Sequence, residues 1–424
     1  MSGDDANTNT NNIVLHNLKF LDLSCSKLTK TPNFNQIPNL ERLNLGFCLD
    51  LLEVHTSVGA LQRLVYLSLS GCSYLEHLPE SLGNLVCLKE LNVSYCTIKQ
   101  LPQTIGNLRN LVLLNLTYCH NLKSLPNTIT RLNRLETLDL YHCLNLEELP
   151  ENLDSLECLE NLIASSTGVK HLPDAVTRLK CLKTLDLHHF LSIKMPLNLS
   201  SVCFDTEVSQ NLVYLILSCC IQLKEFPESL GSLTNLSKLD LSHNVIQELP
   251  SSIGNLTKLV HLNLTYCQNL KRLPATTSRL KSLKTIQLHG CGSLECLPED
   301  IEQIEDLENL IVSSTSITSL PNTIRRCKCL KMLNVHDCKS LSYLPPALGD
   351  IQSLEVLRAS SSAIMAIPDS ICISKSLKIL DFRGCSNLHK LPAYLSNIES
   401  LEEIYISGTN VAQLPHSIDG YKEP

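Results

Sequence analysis

LVLLNLTYCHNLKSLP, residues 111–126, returns as LVHLNLTYCQNLKRLP at residues 259–274, identical at 13 of 16 positions. Both follow one pattern, LxxLxLxxC, then an apolar residue, then LP, and the pattern recurs almost to the end of the chain. Its first, fourth and sixth positions are apolar, and the last two are one residue apart, as in a short strand with alternating faces. A single unit of 23 or 24 residues cannot bury its leucines alone, whereas stacked units bury them against each other. Repetition is therefore the fold.

That period and spacing define a leucine-rich repeat. Repeats start at Leu18, Leu40, Leu64, Leu88, Leu111, Leu135, Leu159 and Leu182, then at Leu212, Leu236, Leu259, Leu283, Leu307, Leu330, Leu354, Leu377 and Leu401. The expected fold class is α/β: a leucine-rich repeat solenoid (horseshoe). A continuous parallel β-sheet should line its concave face, with short helical or 3₁₀ turns on the convex face. The expected organisation is a polar N-terminal tail over residues 1–17 and a domain of 17 repeats over 18–424, with an irregular longer repeat at 182–211. LENLIASST at Leu159 and LENLIVSST at Leu307 share the 148-residue offset of the opening pair, so a block of several repeats looks duplicated. The segment after Phe190 reads either as the seam of that duplication, tolerated because surface insertions cost little, or as a binding loop. The seam is the simpler reading. After most strands comes LPxxIGxL or a variant, and proline suits the first position of a helical turn because its φ is fixed and it has no donor.

Composition narrows the class. Hydrophobic residues make up 43% of the 424 positions but aromatics only 4%, with no Trp, so the core is built of leucine. The net charge of −7 gives no basic field for nucleic acid or an anionic membrane. Ten of the 20 cysteines, from Cys48 to Cys385, occupy the ninth position of their repeats, which stacks them singly rather than pairing them. The start, MSGDDANTNTNN, is no signal peptide, and no run is long and apolar enough to span a membrane. A reducing compartment, cytoplasmic or nuclear, is expected.

Five columns of the repeat are informative. The ninth holds Cys, Thr, Ser or Asn, small donors suited to loop carbonyls where the chain leaves the strand, with Phe190 the one exception. The second alternates Lys284, Glu308, Lys331, Glu355, Lys378, Glu402, a pattern for register-setting surface pairs rather than a docking strip. The fifth is dominated by Asn and Asp on the open face. The seventh and eighth gather Phe47, Tyr95, Tyr118, Tyr141, His142, His188, His189, His243, Tyr266, His289 and His336. With Tyr66, Tyr214 and His261 of the third position, these are the candidate protein-binding residues, since Tyr and His combine contact area with a polar tip. The adjacent Tyr95, Tyr118 and Tyr141 with His142 are the strongest group.

No phosphate-binding loop, dinucleotide fingerprint, HExxH or CxxC occurs, and Cys219-Cys220 and Cys327-Lys-Cys329 lack His partners at metal-ligand spacing in the sequence. No catalytic residue, metal site or cofactor is expected, and an open sheet is a poor place for catalysis. The opening LKFLDLSCSKLTKTPNFNQIPNLERLNLGFCLDLLEVHTSVGALQRLVYLSLSGCSYLEHLP, Leu18 to Pro79, resembles the start of the repeat region of plant TIR-type nucleotide-binding resistance proteins. That resemblance, extending to about Ile418, implies a non-enzymatic recognition module of intracellular innate immunity. Its implied partner is a pathogen effector, a monitored host protein or a nucleotide-binding receptor chain. Such receptors carry a TIR domain and a nucleotide switch ahead of the repeats; the stretch before Leu18 contains neither, so no NADase or nucleotide-binding role carries over. The alternative is a stand-alone scaffold like the plant Ras-group repeat proteins, assembling small GTPases or other signalling proteins.

Overall fold

Short strands follow directly from the spacing of the leucines. In the computed structural model, which describes residues 13–189, 209–220 and 225–415, each repeat forms a three-residue strand over its third to fifth positions. The polar tail to Asn12, Phe190 with the insertion that follows it, and residues 416–424 lie outside the described residues. The chain divides into two units, Met1–Cys181 and Leu182–Pro424, the division falling where the long repeat begins.

The first unit holds seven strands, from Phe20–Asp22 to Asn161–Ile163. They pair in parallel and in identical register, with Leu21 opposite Leu43 and Leu114 opposite Leu138. The second holds ten, from Thr184–Asp186 to Glu403–Tyr405, in the same register, with Leu239 opposite Leu262. Because every strand offers its fourth position to the core, one register error would turn the whole set of leucines outward. Away from the first and last repeats the first, fourth and sixth positions are buried, as at Leu111, Leu114 and Leu116 or Leu259, Leu262 and Leu264. The parallel solenoid expected from the repeat is thus what each unit forms.

Opposite the strands the chain makes turns of three or five residues, and every helical segment among the described residues is 3₁₀. The sequence explains why. Pro102, Ile105 and Leu108 are spaced by three, and their backbones close i→i+3 bonds, Ile105 N–H to the Pro102 carbonyl at 3.0 Å and Leu108 N–H to Ile105 at 3.1 Å. The segment is too short to gain an α-helical turn before the next leucine must enter the core. Proline sits one residue earlier than expected. In the five-residue turns it is the cap before the turn, extended at φ −63° and ψ 147° for Pro102, and contributes its carbonyl as acceptor, whereas three-residue turns are capped by residues such as Asn152 and Asp300. His55, standing where other repeats have proline, caps with its ring instead, Nδ1 accepting from Ser57 N–H at 3.1 Å.

The alternating charges pair as the register requires: Lys284 with Glu308 at 3.2 Å, Lys331 with Glu308 at 2.9 Å, Lys378 with Glu355 at 2.7 Å. Lys281 and Glu305 do the same at 2.7 Å. The lysines are exposed and Glu308 and Glu355 only half-buried, so the pairs tune register more than stability. No described helix is long and apolar enough to cross a membrane.

Candidate functional site

The end of each strand is built by three columns acting together. The fifth-position Asn or Asp accepts a hydrogen bond from the N–H two residues on, 2.9 Å from Thr117 N–H to Asn115 and 3.0 Å from Tyr141 N–H to Asp139. The same bond recurs at Asp22, Asn44, Asn92, Asp186, Asp240, Asn263, Asn334 and Asp381. This column makes Asx turns and is structural rather than recognitive. The eighth position then turns left-handed, with φ between +53° and +76°, in all seventeen repeats. Its N–H still reaches the next repeat, as from Tyr95 to the Thr117 carbonyl at 2.8 Å and from Tyr118 to the Tyr141 carbonyl at 2.7 Å. The ninth position re-enters the core. Its thiol donates to the sixth-position carbonyl of the preceding repeat, as from Cys143 to Leu116 and from Cys267 to Leu241, both at 3.1 Å. Asn244 and Ser362 make the equivalent bond, whereas Thr167 and Thr315 donate to their own repeats. The ladder expected for this column therefore forms, and every described cysteine is free.

Left-handed backbone throws the eighth side chain out over the sheet edge, and the aromatic residues concentrate there. In the first unit Tyr95 and Tyr118 stack with centroids 4.5 Å apart, while Tyr141 meets Tyr118 edge-on at 5.3 Å and His142 lies 4.7 Å from Tyr118. His120, which the sequence reading passed over, closes the group at 5.7 Å from Tyr118 and 5.5 Å from His142. Its signal lay in the quoted stretch, at the tenth position. Phe47, 57% exposed, lies over Gly71, whose missing Cβ would stand 2.7 Å from the ring. Tyr66 is half-buried under the Arg42 guanidinium, 4.4 Å above its ring.

The second unit carries a shorter strip. Tyr266 lies 4.8 Å from His243 and 4.9 Å from His289, whose Nε2 is 3.0 Å from the Tyr266 hydroxyl. His243 and Tyr266 border a depression of about 290 Å³ with Asn244, Val245, Gln268 and Asn269. Tyr214 and His261 are exposed on their strands. The seventh-position histidines are partly committed to the ladder: His188, His289 and His336 bond through Nδ1 to Ser218, Ser313 and Ser360 at 2.6, 2.9 and 2.8 Å. The predicted residues thus split into an outward eighth column and a seventh column tied to its neighbour.

One grouping was invisible in sequence spacing. His188, His189 and Cys219 bring ligand atoms within 4.8 Å of one another, although 29 residues separate His189 from Cys219. Partial burial and the neighbouring His189 hold the His188 imidazole below its usual range, which favours the neutral ring. Burial pushes the Cys219 thiol up. Three ladder thiols behave likewise, Cys119, Cys267 and Cys291 being pushed up to about 12 by burial, so they are poor nucleophiles.

A stack of short parallel strands with an aromatic edge, and no enclosed cleft described beside it, defines a leucine-rich-repeat scaffold, a fold typically non-enzymatic and used to bind proteins. The chain matches the family described as leucine-rich repeat region over residues 17–146 and 207–296, and belongs to it. It is 41% identical over 83 residues to TMV resistance protein N of Nicotiana glutinosa, a match covering 19% of this chain and 7% of that protein. Disease resistance protein RPP2A of Arabidopsis thaliana is 38% identical over 84 residues, covering 20% of this chain and 6% of that one. The chain thus matches a small part of each relative's length. A leucine-rich-repeat protein of Leptospira interrogans superposes with a TM-score of 0.65 at 26% identity, covering 93% of this chain and 92% of its own. The scaffold is related to plant resistance proteins, as the opening motif implied.

Proposed function

We propose that the chain is a recognition module of plant intracellular immunity that binds a protein through the open sheet face. The partner is a pathogen effector, a monitored host protein or a domain of a nucleotide-binding receptor, met in the cytoplasm or nucleus. The observation carrying this reading is the column of left-handed aromatic residues, in which Tyr95, Tyr118 and His142 are contiguous and are joined by Tyr141 of the seventh position. A chain with only 4% aromatic residues places several where they fill no core and where glycine would be less strained. Rigid rings with polar tips are the usual anchors of protein interfaces.

Proximity labelling in plant tissue tests it, comparing the wild type with a Tyr95→Ala, Tyr118→Ala, Tyr141→Ala triple variant. The expected result is an effector or receptor partner that is captured by the wild type and lost in the variant. With purified components, affinity should fall by roughly 100-fold or more. Equal capture by both proteins, with the variant still folded, would remove this face from consideration.

A further inference from the structure

The His188, His189 and Cys219 group belongs to the second unit, and its histidines, though among the candidate protein-binding residues, are not in the Tyr95, Tyr118, Tyr141 and His142 group that carries the recognition reading. Two imidazoles come from the end of one repeat and a thiol from the end of the next, where the fold places the seventh and eighth positions of neighbours side by side. The backbone holds them there. His189 and Cys219 are both left-handed, at φ 53° and 58°. His189 N–H bonds the Ser218 carbonyl at 2.9 Å, and Cys219 N–H bonds the Ser242 carbonyl at 2.8 Å. The rings of His188 and His189 meet edge to face at 4.3 Å. Ser218 Oγ lies 2.6 Å from His188 Nδ1. With Nδ1–H as the donor to this hydroxyl, the Nε2 lone pair is left free for an ion, the arrangement that outer-shell partners of metal-bound histidines impose.

We propose that these three residues form a binding site for a borderline-soft divalent ion of the Zn²⁺ type, which clips the repeat starting at Leu182 to the one starting at Leu212. Two imidazole nitrogens and one thiolate suit zinc and leave a fourth position for water or a partner's side chain. Binding converts the Cys219 thiol to a thiolate, so one proton is released for each ion bound, and no electron moves. Small side-chain rotations bring ligand atoms now within 4.8 Å to coordination distance. The ladder thiols make weak rivals, being buried and hydrogen-bonded to carbonyls.

Cobalt(II) titration of the full chain under reducing conditions provides the test, because thiolate-to-cobalt charge transfer reports on sulfur directly. One equivalent should bind with that band, zinc should displace it, and one proton should be released. Cys219→Ser should abolish the band, and His189→Asn, which tolerates a left-handed backbone, should weaken binding at least about 10-fold. Exposed Cys87→Ser serves as control and should change nothing. Circular dichroism confirms that each variant is folded. Absence of binding by the folded wild type, or a band that survives Cys219→Ser, would overturn the site.

Discussion

At the scale of single residues, the eighth position carries the most information. Thirteen of its seventeen occupants are not glycine, although each is left-handed, a conformation that costs an ordinary side chain roughly 1–2 kcal/mol. The Asx bond before it, its own N–H to the next repeat and the ninth residue locked in the core over-determine this geometry, so the strain persists. Tyr118→Gly should therefore relieve strain while losing the stack on Tyr95, two effects of about 1 kcal/mol that offset each other. Urea unfolding should place this variant within about 1 kcal/mol of wild type, while partner binding drops as in the triple variant. A large loss of stability would show that Tyr118 is a structural ring. The sequence displayed the aromatic column but not its handedness, because few of its members are glycine. For the same reason the Asn115 and Asp139 column looked like open-face chemistry, although its side chains serve the turn.

At the scale of elements, the strands were legible because leucine at three fixed positions leaves no other periodicity. The turns were legible only as short and proline-led. That proline would cap the turn as an acceptor, and that every turn would be 3₁₀, depended on how tightly consecutive turns stack. Glycine measures that closeness. A Cβ at Gly106 would stand 2.3 Å from the Thr128 carbonyl oxygen, and one at Gly349 only 1.7 Å from that of Ser370. The obstacle in each case is backbone belonging to the next five-residue turn, which cannot rotate aside. Gly106→Ala should therefore destabilise by about 1–3 kcal/mol through overpacking, read as a lower midpoint in denaturant. Gly292→Ala, with nothing within 4 Å of its Cβ, should be neutral or slightly stabilising. If the two variants behaved alike, close approach of the turns would not be what these glycines serve.

At the scale of the whole molecule, the ninth-position ladder makes thiol ionisation a property of the fold. Burial raises the folded pKa of Cys119, Cys267 and Cys291 from 9.0 to about 12, and that of Cys327 off the ladder similarly. A group whose pKa is raised by folding favours the folded state while it keeps its proton. That contribution is complete below pH 9 and is lost as pH rises towards 12. Each such thiol removes about 1.4 kcal/mol of stability per pH unit over that interval. Four of them therefore cost a few kcal/mol by about pH 10, a large part of what a folded chain has to spare. Thermal midpoints followed by circular dichroism should be level from pH 7 to 9 and fall steeply above it. The exposed Lys281–Glu305 and Lys378–Glu355 pairs also weaken as lysine titrates, but salt screens them and leaves the buried thiols untouched. The alkaline fall should therefore persist in 1 M salt. Cys267→Ser with Cys291→Ser separates the causes further, because Ser362 already serves the same column, its hydroxyl 2.6 Å from the Val335 carbonyl, and does not titrate. That double variant should be no more stable than wild type at pH 7 yet lose less on going to pH 10. A midpoint level to pH 11 in the wild type, or an identical fall in the variant, would show that the ladder thiols ionise without opposing the fold.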